Sequence, residues 1–209
     1  QYLHGGWLRG VTKGTFLGEK RAGTELSITA YLEENGFPVV QALGYISRKC
    51  IITNDLFFVT LFVNDARDLV EYLRTSDGRD RLRMARKVGI YFFMLGQLGI
   101  YHPDLHLKNV LVDPSGHLVF LDFDKAQRKK LTLDDYETMF WRLDRYIRKY
   151  GDELGGPVTD RERLIFLRTF ERLSGQKIIS RMAADRGRKE SSARLGWFID
   201  RVLYNRKEP

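Results

Sequence analysis

Hydrophobic and polar positions divide the chain into a β-rich first third and a helical remainder. Residues 7–17, punctuated by glycines, read as strand and turn. AGTELSITAYLEEN, residues 22–35, has a helical period with Leu26, Ala30, Tyr31 and Leu32 toward one side and Gly36 as terminator. FPVVQALGYI is extended, because a residue before proline avoids the helical region. CIIT and LFFVTLFV predict antiparallel strands around Asn54-Asp55. A short helix fits DARDLVEYL and a long one fits residues 79–99, increasingly apolar toward its end. NVLV and HLVFL predict a hairpin closed by Asp113-Pro114-Ser115-Gly116. From about residue 132 the pattern is helical: DDYETMFWRLDRYIRKYG comes first, GGP interrupts at 155–157, and a second helix begins with Thr159 or Asp160 as N-cap. This order predicts an α+β protein with a small mixed lobe, residues 1–63, on a mostly helical lobe, residues 64–209, and a cleft between them.

The hairpin carries the candidate chemistry. Asp104 lies in a loop after the long helix, Asn109 directly precedes the first hairpin strand, and Asp122 directly follows the second. A hairpin returns both its ends to one edge, so these side chains should converge. An amide oxygen and a carboxylate together suit a hard cation such as Mg²⁺, which takes oxygen ligands and keeps water or phosphate in the rest of its shell. A third carboxylate free of the metal can orient a hydroxyl and accept its proton. Phosphoryl transfer needs this set, since it depends on positioning and on charge across the phosphates.

The stretch HPDLHLKN followed by DFD resembles the protein-kinase pattern H-R-D-L-x-x-x-N and D-F-G at His102, Asp104, Leu105, Asn109, Asp122 and Phe123. The departures narrow the reading. Pro103 stands where regulated kinases have arginine, no A-P-E follows, and helical sequence resumes within about ten residues of Asp122. His106 is closer to the loop of small-molecule kinases, and Asp124 replaces the glycine of D-F-G while setting a second carboxylate beside the metal position. An unswitched kinase of a non-peptide substrate is expected.

More specifically, the chain resembles the lipopolysaccharide kinases of the Kdo kinase group. GGW at 5–7, KRAGTEL at 20–26, GFPV at 36–39, HPDLHLKNVLVD and LDFDKA carry the likeness, which covers roughly residues 1–130 and becomes loose beyond. The resemblance implies a protein-kinase-like two-lobed fold and ATP-dependent phosphorylation of a sugar (Kdo) of the lipopolysaccharide inner core. It implies Asp104 as catalytic base, Asn109 and Asp122 as Mg²⁺ ligands, and Glu25 as the helix carboxylate orienting a phosphate-binding cation. Leu61, Phe62 and Val63 would offer backbone groups to adenine, with Leu111 beneath the ring and His102 packed under the loop. For Glu25 a solvated helix glutamate, and for Leu111 ordinary core packing, stand as alternatives. The third-strand cation of kinase-like folds falls at or before residue 1. Lys13 and Lys20 fit that role poorly, so the first lobe is expected to lack its first strands here.

Charge adds a partner. Net charge is +8. Residues 1–124 hold 14 basic and 14 acidic side chains, whereas residues 125–209 hold 21 and 13, so the whole excess lies in the later part. Such asymmetry suggests an anionic partner, here a lipid-linked sugar acceptor and the anionic surface of a membrane, or else a solvated helical face. RLGWFIDRVLYNRK at 194–207 reads either as an interfacial helix or as one packed on its lobe. No nucleic-acid motif is present, so nucleic acid is not expected. No apolar run reaches the roughly 18–20 residues of a membrane span. No signal-peptide pattern opens the chain, and Cys50 is the sole cysteine. A cytoplasmic enzyme, peripheral on the inner membrane, is expected. The alternatives are an atypical protein or small-molecule kinase, or a non-catalytic nucleotide-binding module.

Overall fold

The computed structural model describes residues 15–16, 20–49, 54–151, 153–154, 156 and 158–182. Among them, helices and small antiparallel sheets combine in keeping with the α+β class. The expected features at GG5–6, Lys13, CIIT and 194–207 lie outside the described residues, as does the side chain of Lys20.

The first sheet has the order β1 (Thr15–Phe16), β3 (Asn54–Thr60), β2 (Ala42–Lys49), all antiparallel. Asn54 and Asp55 were expected in the turn, but they lie inside β3, opposite Lys49 and Arg48. The strand that pairs with LFFVT is ALGYISRK, which is long enough to carry the ladder back to Asn54. Helix α1 (Lys20–Glu34) packs on this sheet, burying Ala22, Ile28 and Leu32.

The second sheet, β4 (Arg67–Asp68), β6 (Val110–Val112) and β7 (Leu118–Phe120), contains the expected hairpin, with Val110 opposite Phe120 and Val112 opposite Leu118. Residues 38–40 join its open edge. Phe120 N–H donates to the Pro38 carbonyl (2.8 Å) and Val40 N–H to the Phe120 carbonyl (3.0 Å). Phe37, Tyr91 and Phe120 pack ring to ring at this junction, with centroids 5.0–5.6 Å apart. A third pair, β5 (Ile100–Tyr101) with β8 (Gln127–Arg128), closes the loop of residues 102–126 at its base.

The helical part consists of α2 (Leu69–Thr75), α3 (Gly78–Gln97), α4 (Leu133–Lys149) and α5 (Asp160–Ser174). Caps fix the starts: Asp77 accepts from Asp80 N–H, and Thr132–Asp135 and Thr159–Glu162 form reciprocal capping boxes. Met84, Val88, Phe92 and Leu95 recur at helical spacing and turn one side of α3 into the core. There Phe92, Phe140, Phe166 and Phe170 interlock, Phe92 edge-on to Phe166 at 5.4 Å. Each fully buried phenylalanine contributes about 1.5–3 kcal/mol. Two glycines allow this approach. A Cβ at Gly96 would fall on the Tyr136 ring, and one at Gly89 would lie 2.8 Å from the Phe166 carbonyl. Arg81 ties α3 to α5 by donating to Glu162 (2.6 Å) and to the Leu73 and Leu154 carbonyls. No described helix is long and apolar enough to cross a membrane.

Candidate active site

The β5–β8 closure and the hairpin together position the polar residues. After β5 the chain turns at His102, which is fully buried against Phe123 (centroids 5.0 Å), and Leu105 and Leu107 enter the core on either side of His106. This anchoring presents Asp104 from a loop whose apolar side chains cannot shift without leaving the core. A short 3₁₀ turn, Leu107–Asn109, then delivers the buried Asn109 to the start of β6. The Asn109 carbonyl accepts from Leu121 N–H (2.9 Å), which fixes the far end of the hairpin beside it. Asp122 follows with a left-handed backbone, φ 62°, a conformation costly for a residue with a Cβ and concentrated at functional sites.

Asp104, Asn109 and Asp122 therefore converge. The Asn109 amide nitrogen lies 3.4 Å from the Asp104 carbonyl and 3.5 Å from Asp122 Oδ2. Asp122 Oδ1 is buried and has no hydrogen-bond partner. Burial raises the Asp122 pKa, the Asp104 carboxylate adds to the rise, and Lys125, Arg21 and Asn109 oppose it. An orphaned carboxylate oxygen beside a second oxygen-bearing side chain fits a cation that brings its remaining ligands with it. No group of three or more His, Cys, Asp or Glu side chains able to hold a metal occurs among the described residues.

Glu25 comes to the same place from α1. It is 2% exposed, so it is not a solvated helix glutamate. Burial raises its pKa to about 7, and the charge of Asp122 acts in the same direction against the pull of Arg21. Arg21, one helical turn earlier, forms a salt bridge with Asp124, whose side chain is 6% exposed. Asp124 is thereby engaged by α1 rather than left as a second open carboxylate beside Asp122.

Asp104 is held by two cations that the sequence reading passed over. Arg142 on α4 donates through Nε (2.8 Å) and Nη2 to Oδ1, and Lys125 donates to Oδ2. Burial alone would raise the Asp104 pKa, but the hydrogen bonds from Lys125 and Arg142 hold it below the usual carboxylate range. Lys125 could have been suspected from its place in LDFDKA. Arg142 is one of several basic residues along α4, and nothing in the helical period singles it out.

The remaining expected residues sit apart from the carboxylates. Leu61 and Phe62 are exposed, 47% and 85%, and Val63 is half-buried. Leu61 N–H donates to the Gln41 carbonyl (2.9 Å), which secures the end of β3. The chain then enters β4, whose Asp68 pairs with the half-buried Leu111. Leu111 thus lies in the small sheet whose hairpin has Asn109 before β6 and Asp122 shortly after β7, and Leu61–Val63 lead toward that sheet without joining it. An apolar cavity of about 330 Å³ lies between α2, α3, α4 and α5, and neither Asp104, Asn109 nor Asp122 lines it.

A 3-deoxy-D-manno-octulosonic acid kinase from Vibrio parahaemolyticus serotype O3:K6 (strain RIMD 2210633) is 24% identical over 157 residues, which is 73% of this chain and 63% of that protein. The chain thus spans less than two thirds of the length of the curated relative. The profile of the lipopolysaccharide kinase (Kdo/WaaP) family matches residues 1–169, past residue 130 and well into α5, so the helical part shares the likeness as well. With Glu25, Asp104, Asn109, Asp122 and Arg142 all inside that span, the chain belongs to the lipopolysaccharide kinase (Kdo/WaaP) family.

Proposed function

We propose that this chain transfers the γ-phosphoryl group of ATP to a hydroxyl of a lipid-linked sugar, Kdo, in the lipopolysaccharide inner core. The observation that carries this reading is the convergence of Asp104, Asn109 and Asp122 with an unpartnered, buried Asp122 oxygen. The proposal includes a protein-kinase-like division into an N-lobe ending near residue 63 and a C-lobe beyond it, with nucleotide between. The backbone of Leu61–Val63 would meet adenine, and Leu111 would lie beneath the ring. Asn109 and Asp122 would hold Mg²⁺, which supplies positive charge across the phosphates when bound. Glu25, facing Asp122 from α1, would orient the phosphate-binding cation. Asp104 would align the acceptor hydroxyl and take its proton as the new O–P bond forms and ADP departs. Lys125 and Arg142, by lowering its proton affinity, keep that carboxylate ionised until an acceptor arrives. The basic excess after residue 124 would bring the enzyme to the anionic cytoplasmic surface of the inner membrane.

The test is phosphate transfer from γ-labelled ATP to a Kdo-bearing lipid A precursor by the full natural protein. Asp104→Ala should lower turnover by about 10²–10⁴-fold with nucleotide affinity nearly unchanged, while Asp122→Ala should weaken Mg²⁺-dependent nucleotide binding itself. Transfer to peptide or aminoglycoside in place of the lipid sugar would overturn the acceptor, and near-full activity of Asp104→Ala would overturn the base.

A further inference from the structure

The carboxylate of Asp104 points toward α4, while its backbone carbonyl faces Asn109. The α4 side bears an unusual concentration of cations on aromatic supports. The His106 ring stacks on Tyr146 (centroids 4.0 Å, interplanar angle 25°). Tyr146 in turn lies under the Arg142 guanidinium (5.1 Å) and the Lys149 ammonium (5.6 Å). Tyr150, 5.9 Å from Tyr146, supports Lys149 (5.2 Å) and Lys108 (4.4 Å). His106 Nδ1 is buried without a hydrogen-bond partner, and burial lowers its pKa to about 4, so the ring is neutral and adds no charge of its own. Lys108, Lys125, Arg142 and Lys149 thus share two carboxylates, Asp104 and Glu153. Lys149 has no acidic partner among the described residues.

This surplus is hard to assign to stability. Exposed ion pairs contribute little, and four cations gathered around one loop repel one another. Arg142, Lys149 and Lys108 also lie against ring faces, which support them from one side. Arg142 in particular presents a fork suited to a carboxylate, and in the acceptor-free protein that fork is spent on Asp104, the group that a hydroxyl must reach.

We propose that Arg142 and Lys149, backed by Tyr146, form the anion subsite for the acceptor, which binds as an acidic sugar whose carboxylate takes over the Arg142 fork from Asp104. Tyr146 is a positioning residue that carries both cations. The exchange frees one side of Asp104: the carboxylate gives up one of its two cationic partners only when an acidic sugar is in place. This subsite rests on the reading of Asp104 as base and extends it to substrate choice.

The experiment compares the methyl glycoside of Kdo with its carboxamide, which keeps every hydroxyl and loses the charge. Wild type should bind the acid at least 10-fold more tightly in calorimetric titration and should show the same preference in kcat/KM. Arg142→Gln should erase that preference, raising KM for the acid about 10–100-fold while the affinity for Mg²⁺-ATP stays within about 2-fold. Arg142→Lys should restore part of the preference, and Tyr146→Ala should reduce it while Tyr146→Phe keeps it. A purely structural role would not change acid and amide binding differently. Equal discrimination in wild type and Arg142→Gln, or equal binding of acid and amide by wild type, would overturn the subsite. If wild type binds the acid selectively but transfers no phosphate, the kinase reading fails and the anion subsite stands.

Discussion

His102 is fully buried between β5 and the Asp104 loop, and its titration links the site to the stability of the fold. Burial lowers its pKa to about 4, with Asp104 and the Asp122 backbone pulling the other way. An exposed imidazole in the unfolded chain titrates near 6.5, so between those values the unfolded state holds the extra proton. Stability is therefore fully present above about pH 6.5 and is lost as pH falls toward 4, by roughly 3 kcal/mol for a shift of this size. His106 acts with the same sign. Urea unfolding between pH 7 and pH 4 should show this slope, and His102→Asn should remove much of it. An unchanged slope in the variant would mean that the imidazole titrates normally in the folded protein. At this scale the sequence was most informative where residue type and hairpin geometry agree. Asp104, Asn109 and Asp122 could be placed because a two-strand hairpin fixes where its ends meet. Arg142 could not, because its partner lies 38 residues away and its own helix carries three further basic residues, Arg145, Arg148 and Lys149.

Among the elements, α1 is held to the segment after β7 by the Arg21–Asp124 pair. Breaking a largely buried pair from one side leaves a charge without its partner, at a cost of about 3–5 kcal/mol, and here Arg21 retains some contact with water. Asp124→Asn should therefore speed amide exchange across residues 20–34 and leave α3 nearly as protected as before. The same variant should weaken nucleotide binding, because Glu25 rides on that helix. Uniform loosening of the whole chain, or none, would contradict a local tie. The longer helices were legible from their period and caps: α3, α4 and α5 begin within a residue or so of the expected positions, at Asp77, Thr132 and Thr159 caps. The two-residue strands β4, β5 and β8 were not, since so short a segment has no period and exists only through its partner across the fold. The misplacement of Asn54-Asp55 has a similar origin. Turn propensity is local, whereas β2 continues far enough to pair with both residues.

For the molecule as a whole, the basic excess is concentrated in the later part of the chain. The eight-charge excess after residue 124 includes Lys125 and Arg142, which hold Asp104, and Lys149, which lies over Tyr146. Attraction to an anionic bilayer is screened within about 8–10 Å at ordinary salt. Partition of the natural protein onto vesicles containing phosphatidylglycerol should therefore fall steeply between 50 and 500 mM salt, as sedimentation would show, and neutral vesicles should retain little. Salt-independent partition would point to apolar insertion instead. The large-scale arrangement was only partly legible. Charge asymmetry is a sum over the sequence and needs no fold to be seen, but the junction of residues 38–40 with β7, which joins the first third of the chain to the hairpin, depends on a pairing across 80 residues. Asp122 shows what this organisation implies for selection. Its left-handed backbone suits glycine better, at a difference of roughly 1–2 kcal/mol for most side chains, and one oxygen of its carboxylate is buried without a partner. On the role proposed for Asp122, selection for a sturdier fold and selection for turnover would act in opposite directions on a single codon, and a lineage released from the second would be expected to lose this carboxylate early while keeping the rest of its fold.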